Sequence, residues 1–365
     1  MAWVLDQHKV IICAGTGGVG KTTLSACFGL LAARNGRRTL VLTIDPAKRL
    51  ADALGVGSSE EEVQVPLEGV SGCLFAAMIN PSSIFDRFIH RAAKSPEVAQ
   101  KILDNSLYQQ MSTTLSGSQE FTSLEKLLSA LESNKYDLVI LDTPPAQHAV
   151  DFLYAPQKIY SLFQNAITSW LIQKPSSKKF LQSLFHHGTK TALSVLEKIT
   201  GSHFVTELSD FFEGVAEIQD EMRDRSIAVH RLLTGPEAAF VLITGFEREK
   251  LGATRDFISE LRKGGYNLNS VVVNRCLPYW DPPDHLCNQM GSDESFKKLE
   301  AFYKNLRLYN REREQELAQF QSFLGHLTTL FRVPDLVADV TGLQGLAKLA
   351  DNLEAYIKAA VKENS

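Results

Sequence analysis

Residues Gly15, Thr16, Gly17, Gly18, Val19, Gly20, Lys21, Thr22 and Thr23 are consecutive and follow the apolar run 10–14. Their order fits G-x-x-x-x-G-K-[ST], a turn that cradles phosphates. Glycines let the backbone approach an anion and aim its N–H groups at it. A helix starting at Lys21 would add the positive end of its dipole. Lys21 would reach the outer phosphates, and the Thr22 hydroxyl would sit on Mg²⁺. The same glycines also fit the G-x-G-x-x-G fingerprint of dinucleotide binding, with Asp45 near the place of a ribose-binding acid. A glycine-rich turn that binds nothing is the plain alternative. Neither gives Lys21 and Thr22 a role, so a nucleoside triphosphate with Mg²⁺ is the expected ligand.

Two carboxylates further along stand where such a ligand needs them. The apolar run 39–44 ends on Asp45-Pro46, and the segment 136–142 (YDLVILD) ends on Asp142. Runs this apolar read as strands buried on both faces, as in a parallel sheet. Ligands of open α/β sheets lie beyond the carboxyl ends of the strands. Asp142 therefore has the form of a Walker B acid on Mg²⁺, and Asp45 would stand beside the loop. Asp45 could equally form a turn before Pro46. Asn274 ends the strand-like run 270–274, where it could contact a base or close a turn.

The elements that position these residues alternate. Strand signals also recur at 74–79, 239–244 and 328–331, with helical spacing between them, at 121–128, at 315–324 and at 343–362. Residues 57–66 read as an exposed acidic loop, and 281–293 as another loop. From 150 to 234 the strand signal disappears and apolar residues recur at helical spacing. The expected architecture is an α/β fold, a mostly parallel sheet flanked by helices, with an α-helical insertion. The expected boundaries are 1–149 and 236–350 for the core, 150–235 for the insertion, and 351–365 for the last helix end and tail. The insertion's apolar stripes could pack on one another or form a groove for an apolar client segment.

Bulk properties narrow the field. The chain has 365 residues, 44% hydrophobic, with 38 basic and 42 acidic residues for a net charge of −4. That balance predicts no nucleic-acid surface. Asp6 and Lys9 interrupt the N-terminal stretch, so no signal peptide is expected. No apolar run approaches the roughly 18 residues of a membrane span. A cytoplasmic location is the expectation. The five cysteines, Cys13, Cys27, Cys73, Cys276 and Cys287, are scattered and form no C-x-x-C pair. They predict reduced thiols without a metal cluster.

The combination AGTGGVGKTT, TIDPAKRLADALG, LDTPPAQHAVDFL, VVVNR and VPDL…TGLQGLAKLA resembles the ArsA family over nearly the whole chain. That family holds arsenite-pump ATPases and ATPases that target tail-anchored membrane proteins, within the deviant-Walker P-loop class. The resemblance implies a Mg²⁺-dependent ATPase. It implies that Asp45 polarises the attacking water, Lys21 and the loop hold ATP, Asp142 lies at Mg²⁺, His148 is the second-switch histidine, and Asn274 contacts the base. It implies a homodimer that closes on ATP and opens after hydrolysis, with a hydrophobic client or a membrane-protein partner. Arsenite-stimulated pump driving, or ATP-gated binding with little turnover, are the alternatives. The sequence departs from the family in three places. The signature lysine between the first two glycines is Thr16, which implies weaker or differently triggered hydrolysis, with Lys48 or Arg49 as candidate substitutes. A zinc-binding C-x-x-C is absent. The insertion holds a single methionine, Met222, where an adaptable groove would use several.

Overall fold

The computed structural model describes residues 4–44, 49–57, 59–106, 108–109, 118–145, 152–155, 158, 161, 202–276, 294–326, 328–335 and 340–363. They form two compact units. The first comprises residues 1–78, 133–150 and 233–365, and the second 79–132 and 151–232.

The first unit is built on strands β1 (Val10–Gly15), β2 (Arg38–Thr43), β3 (Val63–Gln64), β4 (Cys73–Met78), β5 (Leu138–Pro145), β6 (Ala238–Gly245), β7 (Leu268–Cys276) and β8 (Thr329–Pro334). They make one sheet in the order β3-β4-β2-β5-β1-β6-β7-β8. Every pairing is parallel except β3 with β4. All residues of β1 and β6 are buried, the mark of a sheet covered on both faces.

Helices α1 (Val4–Gln7), α2 (Lys21–Arg34) and α3 (Arg49–Leu54) belong to this unit, and so does the C-terminal helix Gly342–Glu363. Alternation along β1 and β6 sends Ile11, Cys13, Ala239, Val241 and Ile243 into the core under these helices. There they meet Leu24, Phe28, Leu31, Leu346, Leu349 and Leu353. Burial of each large apolar side chain stabilises by about 1.5–3 kcal/mol.

The acidic stretch expected as a loop contains β3. Val65 N donates to Leu74 O at 2.8 Å beside it, since edge pairing needs only backbone groups.

The second unit holds helices α4 (Pro81–Ala92), α5 (Pro96–Leu103), α6 (Ser118–Glu132) and most of α7 (Ser202–Thr234). α4 starts where Asn80 Oδ1 accepts from Ser82 N at 3.0 Å and Ser83 N at 3.4 Å, with Pro81 in the first turn. Phe85, Phe88, Ile102, Phe121, Phe211, Val215, Ile218 and Met222 form its core. Phe211, Val215, Ile218 and Met222 of α7 are therefore covered by α4, α5 and α6, which precede the expected insertion. The stripes read at 159–199 lie outside the described residues except at 161.

Two helices complete the first unit, α8 (Arg248–Lys263) and α9 (Glu294–Leu324), followed by the C-terminal helix, here α10. α9 has 31 residues, whereas the sequence suggested a helix only at 315–324. Its first part is so rich in charge that the apolar repeat is masked. No helix of the described residues is long and apolar enough to cross a membrane.

Candidate functional site

The glycine turn connects β1 to α2 at the carboxyl edge of the sheet. At Gly15 the chain leaves β1 so close to β6 that a Cβ would lie 1.8 Å from Ile243 O, which no side chain tolerates. Gly20 caps α2 with φ 85°, a left-handed conformation that favours glycine. A Cβ there would lie 2.6 Å from Asn274 Nδ2. α2 then begins at Lys21 and closes its first turn with Leu24 N on Gly20 O at 3.0 Å.

Strand register brings the distant carboxylate to this turn. Asp142 on β5 pairs with Cys13 of β1 on one side and Thr43 of β2 on the other. Asp142 is 2% exposed. Its Oδ2 accepts from the Thr22 hydroxyl at 2.6 Å and from the Thr43 hydroxyl at 2.9 Å. Thr143, the next residue, donates to Cys13 O at 3.0 Å and ties β5 to β1 at the same level. Thr43 and Thr143 were not singled out in the sequence. The available signal was a threonine just before Ile44-Asp45 and another just after Asp142.

Lys21 is buried, and its Nζ donates to Thr16 O at 3.1 Å, curling over the turn. Val19 is buried, while Gly17 and Gly18 are exposed and Thr23 is half-buried. Asn274 Nδ2 donates to Val19 O at 2.7 Å, so β7 also reaches the turn. Arg275 follows with φ 57°, rare for a residue with a side chain, where the β7–β8 register shifts between Asn274 and Cys276. Its side chain is exposed and makes no hydrogen bond or ion pair among the described residues. Asp45, Lys48 and His148 lie outside the described residues, which stop at Ile44 just after β2, resume at Arg49, and stop again after Pro145.

The donor set suits Mg²⁺ and a polyphosphate. A hydroxyl and a carboxylate are the hard oxygen ligands that Mg²⁺ prefers. Thr16 Oγ1 is buried and has no hydrogen-bond partner among the described residues. A Cβ at Gly18 would meet nothing within 4 Å, so the turn is open on that side. The thiols nearby are a different matter. Burial pushes the Cys13 thiol up to about 12 and raises Cys27 as well. Among the described residues no three His, Cys, Asp or Glu side chains converge as a metal-binding group.

Comparison with known proteins gives a consistent result. The model of the anion-transporting ATPase family, ArsA, matches residues 8–354. The ATPase GET3 of Malassezia globosa is 24% identical over 356 residues, covering 96% of this chain and 92% of that protein. The ATPase ASNA1 homolog 1 of Paramecium tetraurelia is 25% identical over 292 residues, 77% of this chain and 78% of that protein. A putative arsenical pump-driving ATPase 1 of Aquifex aeolicus is 23% identical over 350 residues, 94% of this chain and 78% of that protein.

Proposed function

This chain belongs to the anion-transporting ATPase family and is an ATP hydrolase, and from that premise we propose a Mg²⁺-dependent cycle in which a homodimer closes on ATP and opens after hydrolysis. The cycle is coupled to a hydrophobic client or a membrane-protein partner, in the cytoplasm and without nucleic acid. Residues 1–149 and 236–350 act as the ATPase core, 150–235 as the client-facing insertion, and 351–365 as the terminal helix end and tail.

In the reaction a water oxygen bonds to the γ-phosphorus and the bond from phosphorus to the β–γ bridging oxygen breaks, giving ADP and phosphate. Transfer of this kind is mostly positioning and charge stabilisation. Lys21 and the N–H groups of residues 15–23 hold the phosphates, and Asn274 stands at the base end of the site. Thr22 and Asp142 hold Mg²⁺, which supplies positive charge against the phosphate oxygens. Thr43 keeps the Asp142 carboxylate oriented. Asp45 polarises the water and takes up its proton.

The observation that carries this reading is the 2.6 Å hydrogen bond from Thr22 to Asp142, two residues 120 positions apart that meet at the foot of the turn. Lys21→Ala is expected to lose tight ATP binding. Asp45→Asn is expected to bind ATP while turnover drops by about a hundredfold or more. Equilibrium binding and phosphate release on the same preparations test both, and normal turnover in Asp45→Asn removes that residue from the chemistry. Arsenite stimulation would need ready thiolates. The buried, raised thiols of Cys13 and Cys27 argue against it.

A further inference from the structure

The end of β7 breaks the pattern of its strand. Residues 270–273 are all buried, Asn274 is half-buried, Arg275 is exposed and Cys276 is buried again. Side chains of a strand alternate in direction, so a regular β7 would send Arg275 to the same covered face as Val271 and Val273. The register prevents this. Asn274 pairs with Val333 of β8 and Cys276 with Pro334, which leaves Arg275 as an extra residue with no counterpart in β8. Asp335 N donates to Cys276 O at 2.8 Å and fixes the strand just beyond it. A bulge of this kind re-aims a side chain, and bulges gather beside active sites. The φ of 57° suits glycine and is unfavourable for arginine. No hydrogen bond or ion pair of the guanidinium compensates for it among the described residues.

Sheet order sets where this side chain emerges. Thr22 meets Asp142 on the β5 side of β1, whereas β6 and then β7 follow on the other side. From β5 to β7 is three strand spacings, roughly 14 Å, comparable with the span of an extended nucleoside triphosphate. A ligand whose outer phosphates lie toward Thr22 and Asp142 therefore has its nucleoside end toward β6 and β7, beyond the carboxyl ends of the strands. Asn274 anchors that flank of the glycine turn, with Nδ2 on Val19 O at 2.7 Å. Arg275 is thus a cation one residue past the anchor, on the nucleoside side.

We propose that Arg275 is a nucleotide-binding residue whose guanidinium lies flat on the purine ring of bound ATP. This assignment rests on the ATP site proposed above and names the group that holds its nucleoside end. A guanidinium is planar, delocalised and weakly hydrated, and it stacks on aromatic faces, whereas a lysine ammonium has no plane to offer. Every base has such a face, so the stack adds affinity and leaves the choice of base to edge contacts. The ring is remote from the bond that breaks. The stack is therefore equally strong in the ground state and the transition state, and it contributes to binding without changing the chemical step. The bulge and the left-handed backbone are what bring Arg275 out of the covered face to do this.

Turnover and calorimetric binding of Mg·ATP by the full chain test it, with inorganic tripolyphosphate as a competitor that lacks the base. Arg275→Ala should raise Kd and KM for ATP by about tenfold, with kcat within about twofold of the parent. Arg275→Lys keeps the charge without the plane and should lose about as much. Tripolyphosphate should inhibit the parent and both variants with constants within about twofold of one another. Arg275→Gly relaxes the backbone, so it should melt no lower than the parent and still show the tenfold loss, which separates binding from a folding defect. Variants that keep the parent's Kd, a lysine that restores it, or tripolyphosphate inhibition weakened as much as ATP binding each overturn the proposal. So does a fall in kcat at unchanged KM. A parent that binds neither ATP nor tripolyphosphate removes the site itself and this assignment with it, whereas normal ATP binding in every Arg275 variant removes the assignment alone.

Discussion

Asp142 Oδ2 accepts two hydroxyl donors from two different elements, Thr22 on α2 and Thr43 on β2. Two donors from different elements fix the rotamer of the carboxylate. Thr43→Val keeps the branched shape and removes one of them. Mg²⁺ affinity should fall by about tenfold to a hundredfold, read by Mg²⁺ titration of ATP turnover, with little change in melting temperature. Arg275 is a second residue with a measurable consequence. Its φ of 57° strains a side-chain-bearing residue. Arg275→Gly should stabilise the fold by up to about 1 kcal/mol in urea unfolding. A loss of ATP affinity in the same variant would show that the strain is kept for binding.

At the scale of elements, latches set strand and helix positions. Arg38 at the start of β2 holds Asp137 just before β5, with Nη2 2.7 Å from Oδ1. Hydrogen bonds from the Arg38 side chain and backbone bring the Asp137 carboxyl down to about 2. A carboxyl lowered on folding stabilises the fold above its unfolded value, and that contribution is lost as pH falls toward about 2. Asp137→Asn should therefore lower stability at neutral pH and flatten the acid limb of the melting curve between about 4 and 2. In the second unit, Arg225 of α7 makes two hydrogen bonds of 2.9 Å to Glu125 of α6, whose side chain is 4% exposed. Burial alone would pull the Arg225 guanidinium down, but the bonds to Glu125 and Glu132 outweigh it and the net shift is upward. Arg225→Ala leaves a buried carboxylate short of a partner and should cost about 3 kcal/mol in chemical denaturation. Asn80→Ala removes the α4 cap and should cost about 1 kcal/mol.

At the scale of the whole molecule, ligand binding and stability are linked. Mg·ATP at a hundred times its Kd should stabilise the native chain by about 2.7 kcal/mol, visible as a raised melting temperature, and NAD should leave it unmoved. The glycine turn and the parallel sheet were readable in the residues, because both depend on local rules. Glycines at fixed offsets make a cradle, and unbroken apolar runs such as 10–14 and 239–244 have to be buried on both faces. Helix existence was readable for the same reason, through the spacing of apolar residues. The half of α9 that holds the buried Leu317 and Phe320 could be anticipated as helix, but nothing local says where cover ends, since the exposed Leu299 and Phe302 repeat their spacing. That α7 packs with α4, α5 and α6 was equally hidden, for a stripe reveals a buried face and not its neighbour. Sequence by itself determined the glycine turn at residues 15–23 and the acids to look for. Only the tertiary structure decided that Asp142 lies between Thr22 and Thr43, because strand order is set by long-range pairing that no local spacing encodes.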